Sequence, residues 1–152
     1  MIRRPPRSTL DRSSAASDVY KRQVPHRAEF SETVGYKIYG PNKTALFIPD
    51  IDKWYLWETS IVDEIMKVDY ALIDATFYNS KEINYRDISE IPHPFVIESM
   101  ELFDELDTNE KNKIYFIHLN HTNPLLDKNS DEYKYVTAKG YNIAEEGIKL
   151  EL

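Results

Sequence analysis

The sequence predicts an α/β domain in which one layer of β-sheet packs against helices. Three observations carry that prediction. Short, nearly unbroken apolar runs at Thr44–Ile48, Tyr70–Phe77 and Ile114–Ile117 have the length and the aromatic and β-branched content of buried strands. Between them lie stretches with apolar residues at helical spacing, and turn dipeptides separate the two kinds of segment. The resulting order is strand, strand, helix, strand, helix, strand, strand, which suits a sheet with helices laid on it.

Residues 1–23 stand apart. MIRRPPRSTLDRSSAASDVYKRQ has no apolar periodicity and is rich in Arg, Ser and Pro. That composition suits a basic nucleic-acid arm or an organelle transit peptide, but not a signal peptide, because no apolar core follows the arginines. Through Gln23 the segment also resembles the peptide read when sequencing-adapter DNA is translated in frame. On that reading it lies outside the fold, disordered or loosely packed, in the place of a missing upstream part. The domain is then 24–152.

From Val24 the elements follow in order. Ser31–Tyr39 alternates as a strand, Gly40-Pro41-Asn42-Lys43 turns the chain, and Thr44–Ile48 returns, so a hairpin is predicted. Asp52 stands where it would cap a helix over Lys53–Lys67, in which Trp54, Trp57, Ile61, Ile65 and Val68 recur at helical spacing. Tyr70–Phe77 is a strand interrupted by Asp74. Asn79–Ile91 reads as a polar loop, and Pro92 and Pro94 fix the backbone on both sides of His93. Phe95–Leu106 is predicted helical, Thr108–Lys113 a polar turn, and Ile114–Ile117 a buried strand that ends at His118. Beyond Asn123-Pro124, a polar loop over Asp127–Tyr133 leads to Tyr135–Thr137, with Gly140 as a break. Asn142–Ala144 and Gly147–Leu152 read as short extended pieces.

Composition narrows the chemistry. The chain of 152 residues has no cysteine, which excludes disulfides and thiolate zinc sites and leaves His and carboxylate as metal ligands. No apolar run approaches the roughly 18–20 residues that span a bilayer, so no membrane partner is expected and the chain reads as cytoplasmic. Residues 1–23 hold six Lys/Arg against two Asp, a net of +4, so of the whole-chain charge of −7 the remainder carries −11. Such a body does not support nucleic acid as a partner through its net field, although a local basic groove would still allow one.

Candidate site residues recur at the C-terminal ends of the apolar strands: Asp50, Asp74 and His118, with His93 on its rigid loop. Strand exits are where α/β sheets place their sites. Taken singly, each has an ordinary structural account, an aspartate that caps a turn or a histidine satisfied by its neighbours. Their common register points to one His/Asp site.

The series GYKI, ALFIPD, a helix, ALIDATF, IPHPF and IYFIHLNHTNP resembles the C-terminal half of the metallo-β-lactamase-fold hydrolases. It is most similar to the branch of pyrroloquinoline quinone synthesis protein B, and the resemblance covers Val24–Leu152. It implies half of an αββα sandwich, one mixed sheet with helices packed on it, and a missing N-terminal half of the same fold. It further implies that Asp50 and His118 are metal ligands, Asp50 bridging two ions, while Asp74 and His93 assist proton transfer. Here Pro49 and Ile51 flank Asp50 where many relatives have glycine and threonine. His121 competes with His118, but other members of the branch have asparagine there. With His26 and Arg27, His121 is a candidate for the substrate side.

The expected cofactor is zinc, two ions in the full-length parent, with manganese or iron as alternatives where oxygen donors dominate. A dinuclear pair would polarise the scissile group and bring a bridging water's pKa toward neutrality. The substrate would be a small molecule or a phosphodiester, ester or related bond, or a step in cofactor synthesis. The H-x-H-x-D-H run that supplies most ligands in this fold is absent from the sequence. The chain by itself is therefore expected to be metal-poor, inactive and aggregation-prone. The competing reading is a non-catalytic α/β interaction domain with structural His and Asp.

Overall fold

A computed structural model of the chain describes residues 18–26, 32–83 and 91–152. Its centre is a six-stranded mixed sheet in sequential order: β1 (Asp18–Gln23), β2 (Val34–Tyr39), β3 (Thr44–Ile48), β4 (Tyr70–Asp74), β5 (Ile114–Ile117) and β6 (Asn142–Ile143). The first three strands pair antiparallel, and β3 to β6 run parallel. Parallel neighbours cannot be joined by a tight turn, so helical crossovers separate them. These are α1 (Ile61–Met66) before β4, α2 (Val96–Leu102) and α3 (Thr108–Lys111) before β5, and α4 (Asp131–Ala138) before β6.

The parallel register is what positions the site. Ile48 pairs with Ile73, and Asp74 with Ile117, so β3, β4 and β5 end side by side. Their exit loops must then start from one edge. Beneath that edge lies a continuous core in which Leu46, Ile48, Ile65, Ile73, Phe103 and Phe116 are all but fully buried. Each such side chain contributes roughly 1.5–3 kcal/mol on leaving water.

Several elements differ from the sequence-based expectation. The helix predicted over Lys53–Lys67 is a 3-10 turn at Trp54–Leu56 followed by α1, whose N-cap is Ser60, the Ser60 Oγ accepting from Asp63 N at 3.2 Å. Trp54 explains the break: its indole N–H donates to Ser99 Oγ at 2.8 Å, a tie to α2 that a continuous helix does not need. Asp52 caps nothing; it is buried, and its backbone N–H donates to Pro25 O at 2.7 Å. Strand β4 stops at Asp74 and not at Phe77, because the N–H of Thr76 turns back onto Asp74 Oδ1 at 2.9 Å. The helix predicted to Leu106 ends at Leu102, although Phe103 and Leu106 stay inward.

The polar turn at Thr108–Lys113 contains α3, capped by Asp107. The polar loop from Asp127 runs into α4, capped by Ser130, whose Oγ accepts from Tyr133 N at 3.0 Å. Of the eight residues of α4 only Val136 is buried, so it carries no apolar stripe to read. Gly147–Leu152 forms no strand.

Residues 18–23 correct the expectation that 1–23 lies outside the fold. They pair as β1 along the free edge of β2, every residue exposed. An open strand edge offers backbone donors and acceptors to almost any extended segment, whatever its side chains. The rest of that segment (1–17), the start of the predicted strand at Ser31, residue Arg27 and most of the 79–91 loop lie outside the described residues. Among the described residues, no helix is long and apolar enough to cross a membrane.

Candidate metal centre

Asp74 closes β4 and is fully buried. Its two carboxylate oxygens collect four donors. Oδ2 accepts from Ile51 N at 3.1 Å and lies 2.7 Å from His93 Nδ1. Oδ1 accepts from Thr76 N at 2.9 Å and from Thr76 Oγ1 at 2.6 Å. Four acceptances use up a carboxylate. Burial pushes the Asp74 carboxyl up, but the His118 and His93 imidazoles and the Thr76 hydroxyl outweigh it and bring the group down to about 2. It is a fixed negative charge at neutral pH.

Asp50, two residues beyond β3, is different. Its Oδ2 lies 3.3 Å from His26 Nε2, while its buried Oδ1 has His93 Nδ1 at 3.4 Å but makes no hydrogen bond among the described residues. A buried acceptor without a donor is costly and calls for an explanation. A cation is one, and the neighbours suit it: an oxygen of Asp50 and a ring nitrogen of His118 lie within 4.8 Å of each other and of the Asp74 carboxylate.

His118 follows β5 directly. It is the one non-glycine residue with positive φ (61°) among those described, an unfavourable left-handed conformation that turns its ring over the exit of β4. Its Nδ1 lies 3.1 Å from Thr76 Oγ1 and 3.7 Å from Asp74 Oδ1. The Asp74 carboxylate raises the His118 pKa against a partial lowering by burial. His93 stands between His26 and His118, with ring centroids 6.4 Å and 6.1 Å apart.

The sequence-predicted residues therefore divide. Asp50, Asp74, His93 and His118 converge, and His26 joins them through Asp50. His121 does not: it is exposed, and its Nδ1 lies 3.1 Å from Asn120 Oδ1. Two residues that sequence reasoning passed over hold the group together. Thr76 bonds Asp74 and touches both imidazoles. Asn123, buried in the loop after β5, donates through Nδ2 to the carbonyls of Ala75 (2.8 Å) and Thr76 (3.2 Å) and accepts from Leu125 N at 3.0 Å. The signal was there in the Asp-x-Thr spacing at the end of β4 and in the asparagine before Pro124, both of which read as ordinary turn chemistry.

The profile of the Beta-lactamase superfamily domain matches residues 10–119, most of the chain and all four converging residues. The chain belongs to the beta-lactamase superfamily. Within the superfamily it is similar to coenzyme PQQ synthesis protein B of Gluconobacter oxydans (strain 621H), with 29% identity over 126 residues, 80% of this chain and 40% of that protein. The same protein of Acinetobacter baumannii (strain ACICU) is 26% identical over 143 residues, 86% of this chain and 44% of its own length. The chain thus spans less than half the length of these curated relatives. Among solved structures, Zn(2+)-bound PqqB from Methylobacterium extorquens shares the fold, with a TM-score of 0.69 at 23% identity, covering 90% of this chain and 47% of that one.

A groove of about 700 Å³ is lined in part by Lys53, Trp54, Trp57, Pro94 and Leu102. None of the converging side chains lines it, although Pro94 directly follows His93 in the chain.

Proposed function

We propose that this chain is the metal-site-bearing second half of a metal-dependent hydrolase, with Asp50 and His118 as its ligands and His93 as its proton-transfer group. The observation that carries the reading is the buried Oδ1 of Asp50, unpaired among the described residues and set close to His118 at the edge where three parallel strands end. Asp74 has no acceptor left for a cation, so its part is to hold its neighbours. A bound zinc pair, or manganese or iron in its place, would supply Lewis-acid polarisation of the scissile bond and a water acidic enough to act at neutral pH.

The remaining steps belong to this chain. Because Asp74 is an ionised acceptor, His93 donates Nδ1–H to it, which leaves Nε2 to take up or give back a proton. The carboxylate holds that tautomer and steadies the imidazolium when it forms. His26, whose Nε2 lies 3.3 Å from Asp50 Oδ2, would leave the other Asp50 oxygen to hold a cation. Arg27, one residue on, is proposed with His26 for the substrate side. The groove along Trp54 and Trp57 offers an apolar wall for a small-molecule ester or phosphodiester, or for an intermediate of cofactor synthesis.

Two free protein ligands fall short of the three or four that hold a catalytic zinc. The chain's coverage of its relatives supports the same conclusion: a missing N-terminal half completes the site, and this chain alone is inactive. A cytoplasmic location suits that unit. The competing interaction-domain reading draws on the saturation of Asp74 and treats the whole cluster as structural. Metal analysis of the full-length gene product separates the two. Two equivalents of zinc, lost when Asp50→Ala and His118→Ala are combined, support the enzyme; metal content unmoved by both changes removes it.

A further inference from the structure

We infer that Thr76 is a positioning residue that fixes the tautomer of His118, with the proton on Nδ1 and the lone pair on Nε2. The inference follows from counting protons. Both oxygens of Asp74 accept from backbone N–H groups, Oδ2 from Ile51 and Oδ1 from Thr76, at 3.1 and 2.9 Å. At 2.6 Å from Oδ1, the Thr76 hydroxyl spends its only proton on the same carboxylate. What it can show His118 is a lone pair. Nδ1 of His118, 3.1 Å from that oxygen, must therefore be the donor.

Thr76 is itself held in place. Its carbonyl accepts from Asn120 N at 2.9 Å and from Asn123 Nδ2 at 3.2 Å, so the loop that carries His118 also clamps the residue that orients it. The left-handed backbone at His118 brings the ring back to meet it. A relay results: His118 Nδ1–H to Thr76 Oγ1–H to Asp74, with Nε2 as the only histidine nitrogen of that ring able to bind a cation. That last consequence rests on the proposed metal centre; the tautomer does not.

Long-range proton–nitrogen correlation spectra of the ¹⁵N-labelled full chain, recorded above the pH at which the His118 ring is seen to lose its second proton, distinguish the two tautomers. Loss of one ring's signals in His118→Gln assigns the residue. The Nδ1–H pattern is expected in the unmodified chain, a shift toward Nε2–H in Thr76→Val, and the original pattern in Thr76→Ser. Zinc affinity should fall about tenfold to hundredfold in Thr76→Val and hold in Thr76→Ser, as for other partners of metal-bound histidines. An Nε2–H pattern in the unmodified chain overturns the inference outright, whether or not any variant folds. So does an unchanged tautomer in a Thr76→Val chain whose circular dichroism is native. An Nδ1–H pattern without zinc binding by the full-length protein would sink the metal reading and leave the relay standing.

Discussion

His93 Nδ1 lies 2.7 Å from Oδ2 of Asp74, and that carboxylate has no exposed surface. The pair joins a rigid proline-flanked loop to the end of a central strand. Its asymmetry is informative. Asp74 would leave three donors stranded besides the imidazole, whereas His93 gives up one main partner.

Replacement of the two should therefore differ in kind. Asp74→Ala leaves the N–H groups of Ile51 and Thr76 unpaired in or near the core and should cost about 3–5 kcal/mol. His93→Ala should cost about 1–2 kcal/mol, since Asp74 keeps its other donors. Urea unfolding of both variants checks the order. Equal costs would mean that the carboxylate is not the centre of the network.

The proposed ligands should behave in the opposite way. Asp50 Oδ1 is buried without a hydrogen bond among the described residues, and His118 holds a left-handed backbone that asparagine tolerates better. Asp50→Asn and His118→Asn are thus expected to leave the metal-free chain as stable as before, or up to about 1 kcal/mol more stable. In the full-length protein each should weaken zinc binding at least tenfold, about 1.4 kcal/mol. Thermal melts without metal and zinc titration with it give the two readings. A large stability loss in the metal-free Asp50→Asn chain would mark that residue as structural.

Why some of this could be read from the sequence and some not follows from particular residues. β3, β4 and β5 are short apolar runs, and a run of that kind has few other uses. Asp50, Asp74 and His118 stood out because each breaks or ends such a run, and parallel register then brings strand ends together without further information. α1 was misplaced because Trp54 and Trp57 keep helical spacing while sitting on a 3-10 turn and the linker after it, held by a tie to Ser99 that lies 45 positions away. α4 was missed because burying Val136 alone leaves no stripe. Thr76 and Asn123 escaped for a related reason. Their work is done by one hydroxyl against the side chains of Asp74 and His118, and by one amide against backbone carbonyls distant in sequence, and a threonine or asparagine in a turn reads the same whether or not anything is there to meet it.

Asn123 offers a test of that loop. Its amide satisfies two buried carbonyls and one backbone N–H. Asn123→Ala should destabilise the chain by about 2–3 kcal/mol, through acceptors and a donor left without partners. It should also loosen Thr76, so the His118 tautomer ought to become mixed in the same variant. Asn123→Asp tests the donors separately, because it keeps the acceptor for Leu125 and removes both bonds to the carbonyls. Urea midpoints near that of the unmodified chain for both variants would show that the clamp is dispensable.

Glu64 on α1 predicts an acid response. Its carboxylate is nearly buried, with Lys67 Nζ 3.0 Å from Oε1 and Arg22 and Lys37 at 3.3 and 3.8 Å from Oε2. Burial pushes the group up, but Lys67, Arg22 and Lys37 together hold it below the ordinary 4.5. A carboxyl whose folded value is depressed stabilises the fold above the unfolded value and loses that contribution as pH falls through the folded one. The unmodified chain should thus exceed Glu64→Gln in urea midpoint at neutral pH, and the gap should close as pH falls through the depressed folded value, below which both side chains are neutral. Deleting residues 1–23 removes Arg22 and spares both lysines, so a smaller gap should survive the deletion. Its disappearance would mean that the Arg22 contact on β1 carries the whole effect, and that this exposed edge strand has become part of what holds α1 to the sheet.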